Sequence, residues 1–181
     1  KEYPKDHTTD FSVFVKYKYN YKNKLLIEPS FRLQYYTSLS RVSPEPRLAL
    51  KYNITKNIRL KMSGGMYSQN YVAVTSDRDV VNLFYGYISS PSSLSITPTL
   101  PNGKKPKHRL QTSQHAVLGL ELDVLKYTSI NIEGYYKHFS QLISVNRYLM
   151  DESADEIFMW EKGHAFGGDI TIKFEYKGLY L

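Results

Sequence analysis

The chain has 181 residues, no Cys, 24 Lys and Arg against 17 Asp and Glu, and a formal charge of +7. The lack of Cys excludes a disulfide scaffold and any thiolate-ligated metal centre, and 17 Tyr with 8 Phe are too many rings for a disordered basic tail. The longest uncharged run, Val80 to Gly103, holds Pro91, Pro98 and Pro101 and cannot be a membrane-spanning helix, and the opening Lys1–Asp6 lacks the apolar core of a signal peptide.

Taken in order, the elements share a period of two. Phe11, Val13, Val15, Tyr17, Tyr19 and Tyr21 alternate with Ser12, Phe14, Lys16, Lys18 and Asn20. After Lys22–Lys24 a second run sets Leu25, Ile27, Pro29, Phe31, Leu33 and Tyr35 against Leu26, Glu28, Ser30, Arg32 and Gln34. A third alternates Leu48, Leu50, Tyr52 and Ile54 with Arg47, Ala49, Lys51 and Asn53. A fourth alternates Ile58, Leu60, Met62, Gly64 and Met66 with Arg59, Lys61, Ser63, Gly65 and Tyr67. Further on come Ala116 to Val124, Ile130 to Tyr136 and Phe166 to Tyr176, each with one apolar and one polar parity. Successive strand side chains point to opposite faces, so seven strands are predicted, with Leu179–Leu181 opening an eighth. No run has a helical period.

The connections predict an up-and-down order. Short ones fall at Lys22–Lys24, Thr55–Asn57, Lys126–Ser129 and Lys177–Gly178; long ones are expected at Thr37–Glu45, Asn70–Gln114 and Val145–Gly163. Short turns at one end and long loops at the other is the pattern of outer-membrane barrels. Tyr19, Tyr21, Tyr52 and Tyr176 carry the apolar parity beside the short turns, where amphipathic rings meet headgroups. The expected fold is an all-β, antiparallel transmembrane barrel segment of seven to eight strands in a meander. Seven and a fraction strands leave two unpaired edges in hydrocarbon, so a piece of a larger barrel is expected, covering residues 1–181, without the remaining strands.

If the apolar parity meets lipid, the other parity lines a lumen. Counting from the turns places Lys18 near Glu28, Asn53 opposite Arg59, and Lys51 opposite Lys61 in a basic patch with Arg47. It also places Glu121 opposite Glu133 and Asp123 opposite Asn131, with Arg59 and Lys61 beside Glu121 and Asp123. Such a belt could simply line the wall or receive a separate plug domain.

Three stretches resemble TonB-dependent outer-membrane receptors of Gram-negative bacteria. They are the hairpin Pro44–Tyr52, Thr55–Asn57 and Leu60–Tyr67; the pair His115–Glu121 and Ile132–Lys137; and the strand start Gly163–Asp169. Gly65 stands where the family often has an aromatic residue, and Asp169 where Glu is usual. The resemblance implies a 22-stranded barrel and, outside this segment, a plug domain and an N-terminal region that contacts TonB. It implies import of a scarce ligand: an iron chelate, a cobalamin, an oligosaccharide or a peptide. The Lys- and Tyr-rich composition resembles the Bacteroidetes branch, where surface lipoprotein partners are common; barrel-assembly machinery is another implied partner.

No Ser, His or Asp sits in a nucleophile context, so no enzyme and no catalytic residue is expected. His115 and His138 have opposite parities and cannot share a metal; no metal site or cofactor is expected. Ligand contacts are expected from Tyr67 and Gln69 at the top of the fourth strand, from Tyr71, Arg78, Tyr85, Tyr87 and Arg109 in the long loop, and from Trp160. The basic run Lys104–Arg109 lacks a stacking platform for nucleic acid. Two other readings fit the alternation: a small eight-stranded structural or adhesive barrel, and a soluble lipocalin-like binding barrel whose apolar parity points inward.

Overall fold

The computed structural model describes residues 9–73, 87–89, 103, 109–145, 158–176 and 179–180. Its elements are β1 (Asp10–Lys16), β2 (Tyr19–Tyr21), β3 (Leu25–Tyr36), β4 (Arg41–Asn53), β5 (Ile58–Gln69), β6 (Tyr71–Ala73), β7 (Tyr87–Ser89), β8 (Gln111–Leu125), β9 (Thr128–Val145), β10 (Phe158–Tyr176) and β11 (Leu179–Tyr180). One antiparallel sheet runs β1-β3-β4-β5-β8-β9-β10-β11, with β2 also on β3, while β6 and β7 form a separate hairpin. Neighbours in space are therefore neighbours in sequence, as a meander requires. Among the described residues the path has two ends, β1 and β11.

The strip predicted as one strand from Phe11 to Tyr21 is divided by Tyr17 and Lys18, without a change of register. Lys16 pairs with Ser30 and Tyr19 with Ile27. Pro29 lies between those partners and has no N–H to offer; the Tyr17 N–H still donates to the Pro29 carbonyl at 3.0 Å. Half of one hydrogen-bonded pair is lost, and the strand continues.

The expected long loop at Thr37–Glu45 is instead a tight connection. A 3-10 turn at Thr37–Leu39 and Ser40, with φ of 48°, return the chain into β4 at Arg41. Pro44, inside the expected loop, and Pro46 just after it both pair in register with β3, opposite Leu33 and Phe31. Their missing donors fall on the other side of β4, where the ladder to β5 stops at Arg47–Gly65.

Two further boundaries differ from expectation. The turn after β8 is only Lys126–Tyr127, and the ladder shifts once more between Asp123 and Leu125; together they move the register by two residues, so that Glu121 faces Asn131, Asp123 faces Ser129, and Glu133 faces Gly119. The expected Glu121–Glu133 repulsion is thereby avoided. Val145–Gly163 is also shorter as a loop, because β9 reaches Val145 and β10 starts at Phe158. The register steps from Glu161–Leu142 to Gly163–Phe139, and from Thr112–Gln141 to Ser113–Phe139. Both steps give β9 one extra residue near Ser140–Gln141, and this bulge resets the alternation that marked the strand in sequence.

The two faces of the sheet differ sharply. The apolar parity is uncovered: Val13 is 75% exposed, Leu118 53%, Phe166 76% and Ile170 71%. Apolar rows of this extent are far beyond the patches that water-soluble monomers leave open. The buried side chains instead gather beyond the β9 bulge and around the long-loop end, at Tyr36, Ser43, Glu45, Asn70, Leu110, Gln141, Ile143, Phe158 and Trp160.

Candidate functional site on the polar face

The polar face holds two organised clusters. Near the short turns, register places Arg59 opposite Glu121. Its guanidinium donates to both Asp123 carboxylate oxygens at 2.7 and 2.5 Å, and to Glu121 at 2.8 Å. Lys61 pairs with the other Glu121 oxygen. A planar fork that meets two carboxylates from one neighbouring strand fixes the β5–β8 register as well as the charge balance. On β3, Glu28 pairs with Lys16 at 2.6 Å and Lys18 at 3.6 Å. The expected Lys51–Lys61 opposition is present, but the basic patch is split, since Lys61 turns to Glu121 and Arg47 to Glu45.

Higher on the wall, the end of the β4–β5 ladder makes the second cluster. Ser68 has no β4 partner there, and the Glu45 carboxylate replaces one. It accepts the Ser68 backbone N–H at 2.8 Å and the Ser68 hydroxyl at 2.7 Å. Glu45 is 2% exposed, and its other oxygen pairs with Arg47 at 2.6 Å. Tyr36 hydroxyl and Ser68 hydroxyl lie 3.0 Å apart. A buried carboxylate is costly unless paired and hydrogen-bonded, and Glu45 is both.

Arg47 then continues outward. Its guanidinium lies 4.4 Å from the Tyr67 ring centre, and Tyr67 stacks on His115 at 4.4 Å. His115 meets the edge of Phe139 at 6.4 Å and shares a 3.0 Å hydrogen bond with the Ser113 hydroxyl. The row Arg47, Tyr67, His115 and Phe139 thus crosses β4, β5, β8 and β9 as one cationic and aromatic strip. Gly65 makes it possible. A Cβ there would lie 2.7 Å from Arg47 Cγ, so the glycine leaves room for Arg47 to lie across the strand. Gly167 does the same for Tyr135, whose hydroxyl would be 2.6 Å from an added Cβ. Beside the strip lies a hollow of about 600 Å³ lined by Lys16, Glu28, Arg32, Arg47, Ser63 and Tyr67.

The sequence-predicted contacts are distributed as follows. Tyr67 is inside the strip, its ring in contact with both Arg47 and His115. Gln69 is exposed and donates to the Tyr71 carbonyl at 2.8 Å, which Gln111 also reaches at 2.8 Å. Tyr71 is exposed where β6 leaves the wall, and Tyr87 pairs in register with Ala73 on the adjoining hairpin. Tyr67, Gln69, Tyr71 and Tyr87 therefore belong to one end of one hairpin. Arg109 is exposed just before β8. Arg78 and Tyr85 lie outside the described residues. Trp160 is 2% exposed opposite Ile143 in the β9–β10 pair, so its ring supports the wall end instead of presenting a contact surface. Sequence reasoning does not single out Glu45, Arg47 or His115 as ligand contacts, and the Pro-Glu-Pro-Arg run at residues 44–47 is the signal available for the first two.

No protein-family model matches the sequence, and no curated protein matches it. Solved structures do. The siderophore receptor PirA from Pseudomonas aeruginosa superposes with a TM-score of 0.65 at 14% identity, over 94% of this chain and 32% of the receptor. The ferric enterobactin receptor PfeA from the same organism, as the R480A/Q482A mutant, gives 0.59 at 14% identity, over 91% of this chain and 24% of the receptor. The likeness is one of fold: the sheet matches part of each receptor's structure. The chain spans about a third and a quarter of the length of these two receptors. In a receptor-barrel wall the exposed rows face hydrocarbon and the polar rows face the enclosed space. The soluble lipocalin-like reading fails on the same rows, because it needs them turned inward.

Proposed function

We propose that this chain is a wall segment of a TonB-dependent outer-membrane transporter that imports an iron chelate, with a plug domain and the remaining strands supplied by the rest of the protein. The observation that carries the reading is the uncovered apolar parity along a meander that superposes on siderophore-receptor barrels. The long loops face outside the cell and the short turns the periplasm. The segment performs no chemistry on the ligand: it is a wall, and its ion network holds strand register.

Ligand contact is assigned to the long-loop end, where Gln69, Tyr71, Tyr87 and Arg109 join the Arg47–Tyr67–His115 strip. Arg78 and Tyr85 belong to the same connection in sequence. A cation stacked on the end of a row of aromatic rings suits an anionic, aromatic-bearing chelate. The test is deletion of the complete gene followed by uptake of a panel of labelled ferric chelates under iron limitation. Loss of one uptake activity, restored by the intact gene and not by one lacking its TonB-contacting region, is expected. Unchanged uptake of every iron chelate would overturn the iron assignment; a protein that fractionates as water-soluble would overturn the wall reading.

A further inference from the structure

The short-turn end carries a feature that the ligand reading does not use. Three turns, residues 22–24, 54–57 and 126–127, contain Lys22, Lys24, Lys56 and Lys126 and no carboxylate. All four lysines are exposed. Three of them rest on tyrosines: Lys22 Nζ is 5.4 Å from the Tyr21 ring centre, Lys24 is 5.7 Å from that of Tyr52, and Lys126 is 5.3 Å from that of Tyr127. Tyr127 in turn packs edge-on against Tyr176 at 4.9 Å. Tyr21, Tyr52 and Tyr176 belong to the lipid-facing parity, so these contacts draw ammonium groups to the outer side of the rim.

The rim is also continuous. The Asn53 N–H donates to the Lys24 carbonyl at 2.8 Å, the Asp123 N–H to the Asn57 carbonyl at 2.8 Å, and the Glu175 N–H to the Tyr127 carbonyl at 2.9 Å. Each turn is thereby tied to the next hairpin. The nearest carboxylates are engaged on the polar face: Asp123 and Glu121 by Arg59, and Glu28 by Lys16 and Lys18. Glu175 remains, and it has the polar parity. The first turn accepts an unfavourable backbone for its lysine. Lys22 and Asn23 have φ of 49° and 53°, and the Lys24 N–H closes the turn onto Tyr21 at 2.9 Å. Both central positions of such a turn favour Asn, Asp or Gly, yet one holds Lys.

We propose that this lysine-on-tyrosine rim binds the phosphate groups of anionic phospholipids in the leaflet that meets the short turns. The chemistry matches on three counts. Tyrosine rings settle at the headgroup level. A cation–π contact positions an ammonium without neutralising it, leaving its donors for phosphate. Lysines next to an anionic surface add attraction that salt screens. The identity of the lipid as phospholipid rests on the orientation proposed above, with the short turns in the periplasm.

The test uses the complete protein folded in phosphatidylcholine bilayers that contain spin-labelled phosphatidylglycerol or spin-labelled phosphatidylcholine. The motionally restricted fraction gives the relative association of the two lipids. The wild type is expected to prefer phosphatidylglycerol, with the preference reduced in high salt. Lys22→Gln/Lys24→Gln/Lys56→Gln/Lys126→Gln should abolish it, single replacements should weaken it by up to ~5-fold, and the fourfold Arg variant should retain it. A wild type without preference, or a Gln variant that keeps it, would overturn the proposal. Should the Gln variant fail to fold, the salt dependence of the wild type and the single variants decide instead. Orientation is read separately. The segment has no Cys, so Thr55→Cys provides a unique label within it. Labelling by an impermeant maleimide on intact cells would overturn the periplasmic orientation, and with it the choice of phospholipid, even if the phosphatidylglycerol preference stood.

Discussion

The lower and upper halves of the same wall obey different rules. Toward the short turns, β4, β5 and β8 pair residue for residue, β8 and β9 do so up to a single shift at Asp123–Leu125, and the polar face closes on the Arg59 network. Toward the long loops, the β4–β5 ladder ends at Arg47–Gly65, β9 carries an extra residue, and buried groups collect at Glu45, Trp160 and Phe158. Regular pairing lets lipid and lumen be assigned by counting. Irregular pairing frees backbone groups, which side chains must then satisfy, and it bends strands into positions where a ligand could be met.

The sharpest way to break this comparison is to exchange parities in the regular half. Leu118→Arg puts a cation on the lipid face and is expected to cost about 2–4 kcal/mol in folding into liposomes, whereas Val117→Arg on the other parity should cost less than about 1 kcal/mol. Equal costs for the two neighbours would remove the assignment of faces. In the irregular half, Glu45→Ala leaves the Ser68 N–H without its acceptor and Arg47 without its carboxylate, an expected loss of about 2–3 kcal/mol in denaturant titration. Glu45→Gln keeps an acceptor and should lose about half of that.

Smaller effects sharpen the picture. Gly65→Ala pushes Arg47 off its path across β5 and is expected to cost about 1 kcal/mol. If the strip contacts ligand as proposed, the same variant should weaken binding of a ferric chelate, measured by equilibrium binding to the complete protein, more than it lowers stability. Pro46→Ala returns an N–H on the side where β4 has no ladder partner, and stability should change by less than about 0.5 kcal/mol. A large loss there would mean that the proline rigidifies the strand in a way its pairing does not show.

The strands of the regular half were legible because one face had to be apolar along its whole length. A one-residue slip would put Arg59, Lys61 and Glu121 into hydrocarbon, so the pattern in sequence is strict. The same strictness predicted Arg59 beside Glu121 and Asp123. Where reading from sequence erred, it took a local sign as an ending. The expected loop Thr37–Glu45 takes in Pro44, although a proline is harmless on the unpaired side of a strand. Phe158 and Trp160 read as loop residues because the Ser140–Gln141 bulge moved their partners out of phase. The sequence places the turn at Lys126–Ser129 and Glu133 against Glu121; the shorter turn and the shift at Asp123–Leu125, neither of which leaves a mark in the alternation, separate them.

The site was less legible than the fold. Tyr67, Gln69, Tyr71 and Tyr87 meet at one end because they flank one connection, and chain order alone brings them near. The Arg47–Tyr67–His115 strip needs three strands in register and a glycine under the arginine, and no single stretch of sequence contains that relation.

By itself the sequence determined the main strands of the large sheet, the meander and which row is apolar, since a transfer penalty acts on every residue of an extended segment whatever its neighbours are. Tertiary structure decided the register at the Lys126–Tyr127 turn, the place where the β4–β5 ladder opens, and the use of Glu45 and Arg47 there. Those depend on which hydrogen-bond donors lack a partner across a strand gap, and that is a property of pairs of distant residues.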